Sequence, residues 1–402
     1  MFATGSVSGQ NNLLTIEGAV KMAQQKNSEI NQLKAQLVQK EQSWRTMTGI
    51  SAPELSYFKE GINHLEIKPF DEKRWTISQS VDFPLTTYYR LKSVSEERKG
   101  MQLRVVSAER EIQSKVKEKY IEVIYGQHLK QLREQQIKLA QNLYNAVYSK
   151  FETGMGNGID LTNAELQLAE SQNDLDEAEN IIHQARYGLF KLIGMDSEEQ
   201  HYDIAFPDTL HTNDIGIAQI ETLEELNSQP DYMAAAFDIS AGNYQLKEAR
   251  SNYLPDLRLN YYQQDYGTGY HYNGFEIGIT LPVWFPFEQR GATQMAMARR
   301  QEMLYRQKSI ELTMKEEIEK AWHSYSTSKS TVTRYRETIQ AKAEKLHALA
   351  LEAYRLGEID LLNLISSQQA YLRSQQRYLV ALRDYYIQLA HLEIYLNRQL
   401  VY

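Results

Sequence analysis

The chain has 402 residues with 52 acidic and 44 basic side chains, a net charge of −8, and no cysteine. The length allows two or three ordinary domains, and an acidic balance without any basic run excludes a nucleic-acid footprint. The lack of cysteine excludes disulfides, thiolate metal sites and a lipid-bearing N-terminal cysteine, as is common in exported bacterial proteins, and no run of 18 apolar residues could cross a membrane as a helix.

Residues 1–12 read as a surface tail. They lack the basic and apolar regions of a signal peptide, so they fit a trimmed end or the start of a piece cut from a larger polypeptide. Thr15 opens a predicted helix to about Met47, with Glu17 where the helix dipole favours an acid. Ser51–Phe58 breaks and then forms a short strand. Gly61–Glu72 is a polar loop. Lys73–Phe83 alternates with period 2, Trp75, Ile77 and Val81 on one face, interrupted by Gln79.

The eight prolines leave 85–206 and 287–402 empty, which invites very long helices. Thr87–Phe151 repeats apolar residues every three or four positions, including Ile112, Val116, Tyr120 and Val123; such a helix is roughly 95 Å long. A Gly154–Gly158 turn leads into a helix from Asp160 to about Leu192. Gly194–Asn213 is irregular. Thr222–Glu225 has a capping-box pattern and restarts helix, to about Asn252. Asp256–Asp265 is a strand, Tyr266–Asn273 a Gly/Tyr loop, and Gly274–Trp284 a strand. A long helix runs from about Gln289 to Leu356, and after Gly357 a last helix reaches about Arg398.

The second half replays the first. Pro255 matches Pro53, and Ile159, Asp160, Leu161 and Asn163 recur as Ile359, Asp360, Leu361 and Asn363. The predicted domains are a first repeat at 1–197, an inter-repeat segment at 198–220 and a second repeat at 221–402, forming one structural domain.

Four strands of about 10 residues match the length of a tilted bilayer-spanning strand. Four strands cannot close a barrel, and an open sheet in lipid leaves edge groups unsatisfied. Three copies pooling their strands would give about 12, a workable barrel. Tyr57, Trp75, Tyr261, Phe275 and Trp284 fit its aromatic girdles. The same pattern also fits two soluble hairpins whose aromatic residues pack on helices, in a soluble or periplasmic coiled-coil scaffold or adaptor.

The stretch Tyr354–Leu372, with Gly-Glu-Ile-Asp-Leu-Leu-Asn at 357–363, resembles the helix-turn signature of the TolC-type outer-membrane efflux family. Leu281-Pro-Val-Trp followed by Gln289-Arg-Gly-Ala resembles its strand-to-helix signature. The form of the turn is closest to the heavy-metal (cation) efflux branch. The resemblance implies a mainly α fold with four short β-strands per chain, assembled as a homotrimer with a 12-stranded outer-membrane β-barrel and a periplasmic α-barrel. It implies the passive exit duct of a tripartite pump for small molecules or metal ions. The partners would be a periplasmic adaptor (membrane fusion) protein and an inner-membrane transporter of the resistance-nodulation-division type. The segment between the repeats and the C-terminal tail would form its equatorial region.

By the same resemblance Gly154, Gly158, Asp160, Asn163, Gly357, Glu358, Asp360, Asn363 and Ser366 would lie at the periplasmic aperture, where the adaptor docks. The family often has acids just past the turn, and this chain has Asn163, Asn363 and Ser366 there. Asp160, Asp360 and Glu358 would supply what negative charge the mouth has, and Asp160 and Asp360 also read as helix N-caps. The histidines lack metal-ligand spacing. Met295, Met297 and Met303 read as packing residues in a helix start. Gly154–Gly158 lacks the Lys-Ser/Thr of a phosphate loop. The sequence predicts no catalytic residue, no cofactor and no metal site.

Overall fold

The computed structural model describes residues 13–61, 70–195, 205–206, 210, 225–267, 269–396 and 398–402. The N-terminal tail, most of the 61–72 loop, nearly all of the 198–220 segment and the first three capping-box residues fall outside them. The chain forms two compact units. A helical unit comprises Met1–Asn31, Ala108–Leu226 and Met314–Tyr402, and a strand-bearing unit comprises Gln32–Ser107 and Asn227–Thr313.

The elements are α1 (Ile16–Lys26), α2 (Ser28–Gln42), β1 (Glu54–Glu60), β2 (Glu72–Val81), α3 (Pro84–Glu152), α4 (Gly158–Leu192), α5 (Pro230–Ser251), β3 (Asp256–Asp265), β4 (His271–Thr280), α6 (Glu288–Arg334), a π turn (Tyr335–Ile339), α7 (Gln340–Arg355) and α8 (Leu361–Leu396). The order helix, strand, strand, long helix, helix occurs twice. Pro84 at the first helical position starts α3, where its missing N–H costs nothing. No further proline interrupts the 69-residue helix.

One helix was expected from Thr15 to Met47, and the structure breaks it at Asn27. Thr15 caps α1, its Oγ1 accepting from Gly18 N at 3.1 Å. Asn27 turns extended, and its buried Oδ1 accepts from Glu29 N and Ile30 N to cap α2. Its Nδ2 donates to the Leu192 carbonyl at 2.9 Å, which ties the break to the end of α4. In the second repeat Gln229 is likewise extended and buried just before α5. Helix was expected from Thr222, but Glu225–Ser228 is a 3-10 turn and α5 starts at Pro230. Asn27 and Gln229 are 202 residues apart, the offset that separates Pro53 from Pro255.

The same offset relates buried Ile112, Val116 and Val123 of α3 to buried Met314, Ile318 and Tyr325 of α6. It grows to 203 at Gly154 and Gly357. The second long helix therefore holds one extra residue. The π turn at Tyr335–Ile339 accommodates it, because an i→i+5 turn winds one residue more than an α turn.

The core of the helical unit gathers Ile16, Ala19 and Ala23 from α1, Ile112–Ile124 from α3, Leu189 and Phe190 from α4, and Tyr385, Leu389 and Leu392 from α8. Each such large side chain contributes about 1.5–3 kcal/mol on burial. Buried Lys117 donates to Glu393 Oε2 at 2.6 Å and to the Val401 carbonyl at 2.7 Å. Glu393 Oε1 in turn accepts from Leu400 N and Val401 N. This charge pair pins the C-terminal tail against α3 and α8.

The strand-bearing unit holds one antiparallel sheet in the order β1-β2-β3-β4. Strand was expected at Gly274–Trp284, and β4 lies earlier, at His271–Thr280. Pairing with β3 fixes this, from Asp265↔His271 to Asp256↔Thr280. Beyond Thr280, Pro282 has no N–H to donate and the chain turns, Val283 N reaching the Leu281 carbonyl.

Candidate functional site

Two features stand out: the paired helix corners in the helical unit and the exposed sheet face in the strand-bearing unit. Both corners close by the same device. Met155 N donates to Lys150 O and Gly154 N to Phe151 O, and Glu358 N donates to Ala353 O and Gly357 N to Tyr354 O. These bonds satisfy the last helical carbonyls and require a left-handed residue, Gly154 at φ +75° and Gly357 at φ +78°. Gly158 has no such demand; it opens α4 with open space around it.

The next helix is capped differently in the two copies. Asp360 caps α8, its Oδ1 accepting from Asn363 N at 2.9 Å. Asp160 does not cap α4. Asn157 does, accepting from Asp160 N at 2.8 Å and donating from Nδ2 to Asp160 Oδ2. The first turn is three residues longer before its Ile-Asp-Leu motif, which brings a better-placed Asn to the cap. The Asn157-Gly-Ile-Asp160 spacing was the signal available in sequence.

One small apolar cluster joins the corners. Leu143, Val147, Ala164, Leu361, Leu364 and Ile365 pack together, with Leu161 and Ile359 against them. The Lys150 ammonium lies 4.6 Å from the Tyr354 ring centre. Asn163, Glu358, Asp360, Asn363 and Ser366 are exposed around this cluster and Asp160 is half-exposed. Sequence reasoning missed the exposed apolar residues there: Met155, Ile159 and Leu362 are 80%, 75% and 68% exposed. Period-3.6 counting assigns apolar residues to a core and has no way to mark those that face outward.

The sheet presents two unlike faces. One row runs Leu55–Ile77–Tyr261–Phe275 across all four strands, and the next brings Tyr57 beside Trp75. Their rings lie 4.6 Å apart. Leu259 and Ile277, then Val81, Leu257 and Ile279, continue this face, an apolar band about 20 Å long at the usual rise per strand residue. Trp284 lies beyond β4 and is 70% exposed. Gln79 interrupts the band for a reason: its amide donates to the Ser51 and Ser80 carbonyls. The other face carries Thr76, Ser78, Ser80, Asn260 and Glu276. There Arg74 lies within 6 Å of both Phe58 and Tyr262, and Tyr262 covers Gly274, where any Cβ would collide with its ring. Met295 and Met297, expected as packing residues, are exposed; Met303 packs on Gly242.

The family model for outer membrane efflux protein matches residues 69–195 and 223–398. Among solved structures, the outer membrane protein VceC of Vibrio cholerae matches with a TM-score of 0.81 at 16% identity, covering 95% of each chain. The CmeC outer membrane channel of Campylobacter jejuni matches at 0.82 and 15%, covering 95% of this chain and 85% of its own. CusC, described for its transmembrane channel formation, matches at 0.81 and 15%, covering 97% and 95%. No curated protein sequence matches. The scaffold or adaptor alternative is not favoured by these matches. Family members are channels, not enzymes, and work with adaptor and inner-membrane transporter partners. With two copies of one helix-strand-strand-helix-helix unit, paired corners and an exposed apolar sheet, the chain belongs to the outer membrane efflux protein family and is an outer-membrane exit duct of an efflux pump.

Proposed function

We propose that three copies pool their sheets into one 12-stranded transmembrane β-barrel and their helices into a periplasmic α-barrel. The observation that carries this is the sheet itself. β1 and β4 are both edge strands, and the face bearing Trp75, Ile77, Phe275 and Ile277 is exposed. Lipid cannot satisfy open edges, so closure must come from further copies, while water disfavours the apolar face. Tyr57, Trp75, Tyr261, Phe275 and Trp284 would then meet lipid. Strands β1 to β4 lie in the outer membrane, and the helical unit extends into the periplasm.

The corners form the mouth, where Gly154, Gly158, Asp160, Asn163, Gly357, Glu358, Asp360, Asn363 and Ser366 meet a periplasmic adaptor. An inner-membrane transporter of the resistance-nodulation-division type would supply the energy. Residues 1–197 and 221–402 act as two repeats of one structural domain, with 198–220 between them as an equatorial segment. Their shared apolar cluster supports the joint placement of the two corners. Small molecules or metal ions are the cargo.

Detergent-purified protein should run as a trimer and conduct ions in planar bilayers. A monodisperse monomer that needs no detergent would overturn the proposal. Replacing Glu358 and Asp360 by Lys should reduce cation selectivity in single channels. Unchanged selectivity would restrict Asp360 to capping.

A further inference from the structure

The strand-bearing unit contains a groove of about 430 Å³ bordered by α2, α3, α5 and α6. Six charged side chains line it: Lys40, Glu97, Arg104, Asp238, Arg299 and Arg306. Both acids already have partners. Glu97 pairs with Lys40 and accepts from Gln245 Nε2 at 2.7 Å, and Asp238 pairs with Arg104. That leaves Arg299 and Arg306, and neither has a carboxylate partner among the described residues. They stand seven positions apart on α6, on one helix face, roughly 10 Å from each other along the axis.

The wall that presents them is fixed. Met303, between them on the same face, packs so closely on Gly242 that a Cβ there would lie 2.6 Å from its sulphur. Arg300 Nε donates to Asn243 Oδ1 at 2.5 Å. Both contacts hold α6 against α5 and direct the neighbouring arginines to the groove. In a chain of net charge −8, two uncompensated guanidinium groups over a pocket already holding two neutralised pairs are an excess of positive charge.

We infer that this groove binds a solute carrying two or more carboxylate or phosphate groups, one group to Arg299 and another to Arg306. Guanidinium forks match the oxygens of such groups in bidentate pairs. The volume lies in the range of ordinary small-molecule sites. The inference extends the duct reading by naming a class of solute that touches its wall, but the binding itself does not depend on that reading.

Citrate is the probe. Calorimetry on detergent-purified protein at constant ionic strength should give saturable citrate binding, at least about tenfold tighter than acetate. The Arg299→Gln/Arg306→Gln variant should lose at least about tenfold of that affinity while keeping the wild-type thermal midpoint, and Arg299→Lys/Arg306→Lys should retain part of it. Citrate binding that is absent in the wild type, as when a carboxylate of the next copy fills the groove, or that is unchanged in the Gln variant, would overturn the site. In planar bilayers the Gln variant should conduct with its permeability ratio shifted toward cations, and an unshifted ratio would remove the site from the ion path. A wild-type protein that binds citrate without conducting would count against the duct reading alone.

Discussion

The two long helices of the repeats are equal in design and unequal in fate. α3 is buried on much of its circumference, with Ile112, Val116, Lys117, Tyr120, Ile121, Val123 and Ile124 all at or below 5% exposure. Its counterpart, α6 through α7, buries Met314, Ile318, Tyr325 and Val332, and α7 has no buried residue. Tyr305, Leu312, Leu346 and Leu349 are 69%, 56%, 51% and 60% exposed on it. One repeat unit has therefore been used as an enclosed helix and as an open-faced one. The enclosed copy kept unbroken α geometry. The other took up an extra residue as a π turn, which a helix less enclosed by its own chain accommodates.

That contrast makes deletion the sharpest test. Removing Arg336 from the π turn should restore continuous α-helix with both flanks in register, moving the thermal midpoint by no more than about 1 kcal/mol equivalent. Removing Glu134, its counterpart on α3, should rotate everything beyond it by about 100° and carry Leu143 and Val147 out of their cluster, costing at least about 4 kcal/mol. Equal effects of the two deletions would show that the extra residue is not what the π turn stores.

Next in size is the buried charge on α3. Burial pushes the Lys117 ammonium below its usual range, and Glu393 opposes that shift. Lys117→Met should cost about 3–5 kcal/mol, because Glu393 is left as a buried charge without its cation. On α6 the Lys320–Glu316 pair is widely exposed and screened by solvent, and Lys320→Met should leave the denaturation midpoint where it is. Denaturation midpoints of the two variants measure the difference directly. A small loss for Lys117→Met would mean that the Leu400 and Val401 amides alone are enough to hold the Glu393 carboxylate.

Much of this was legible in sequence. The proline-free stretches gave the long helices, and period-2 alternation gave β2 and β3 to within a residue or two. The extra residue was also written there, as the change of repeat offset from 202 to 203, but a repeat is easily read as one fixed spacing. The break at Asn27 was not legible, because the Asn27 amide needs the Leu192 carbonyl, far away in sequence. β4 was misplaced because the Gly/Tyr-rich run up to Asn273 suggested a loop, whereas pairing with β3 sets the register. At the corners the glycines were readable from turn chemistry, while the choice of Asn157 over Asp160 as cap depended on the three extra turn residues.

The corners extend the comparison at lower energy. Asn157→Ala and Asp360→Ala should each cost about 1 kcal/mol, as losses of an N-cap, while Asp160→Ala should cost only a few tenths. Amide exchange at Asp160 and Asn363 reports each cap locally. Equal protection losses from Asp160→Ala and Asp360→Ala would erase the difference between the two turns.

The smallest expected effect lies on α7. His347 stands 203 residues after Tyr144 of α3, the same repeat position, and stacks on Tyr371 with ring centres 5.4 Å apart. Half-buried, its imidazole is pushed by partial desolvation below the ordinary value of 6.5. The unfolded chain therefore takes up this proton at a higher pH than the folded one. Stability should fall as the pH drops below 6.5 and level off once the folded imidazole is also protonated. His347→Phe keeps the aromatic stack and removes the titration, so its midpoint should fall less than that of the wild type between pH 7.5 and 5. Parallel losses in the two proteins would mean that His347 accepts its proton without disturbing α7, as a side chain on an open-faced helix can do when its ring turns outward to water.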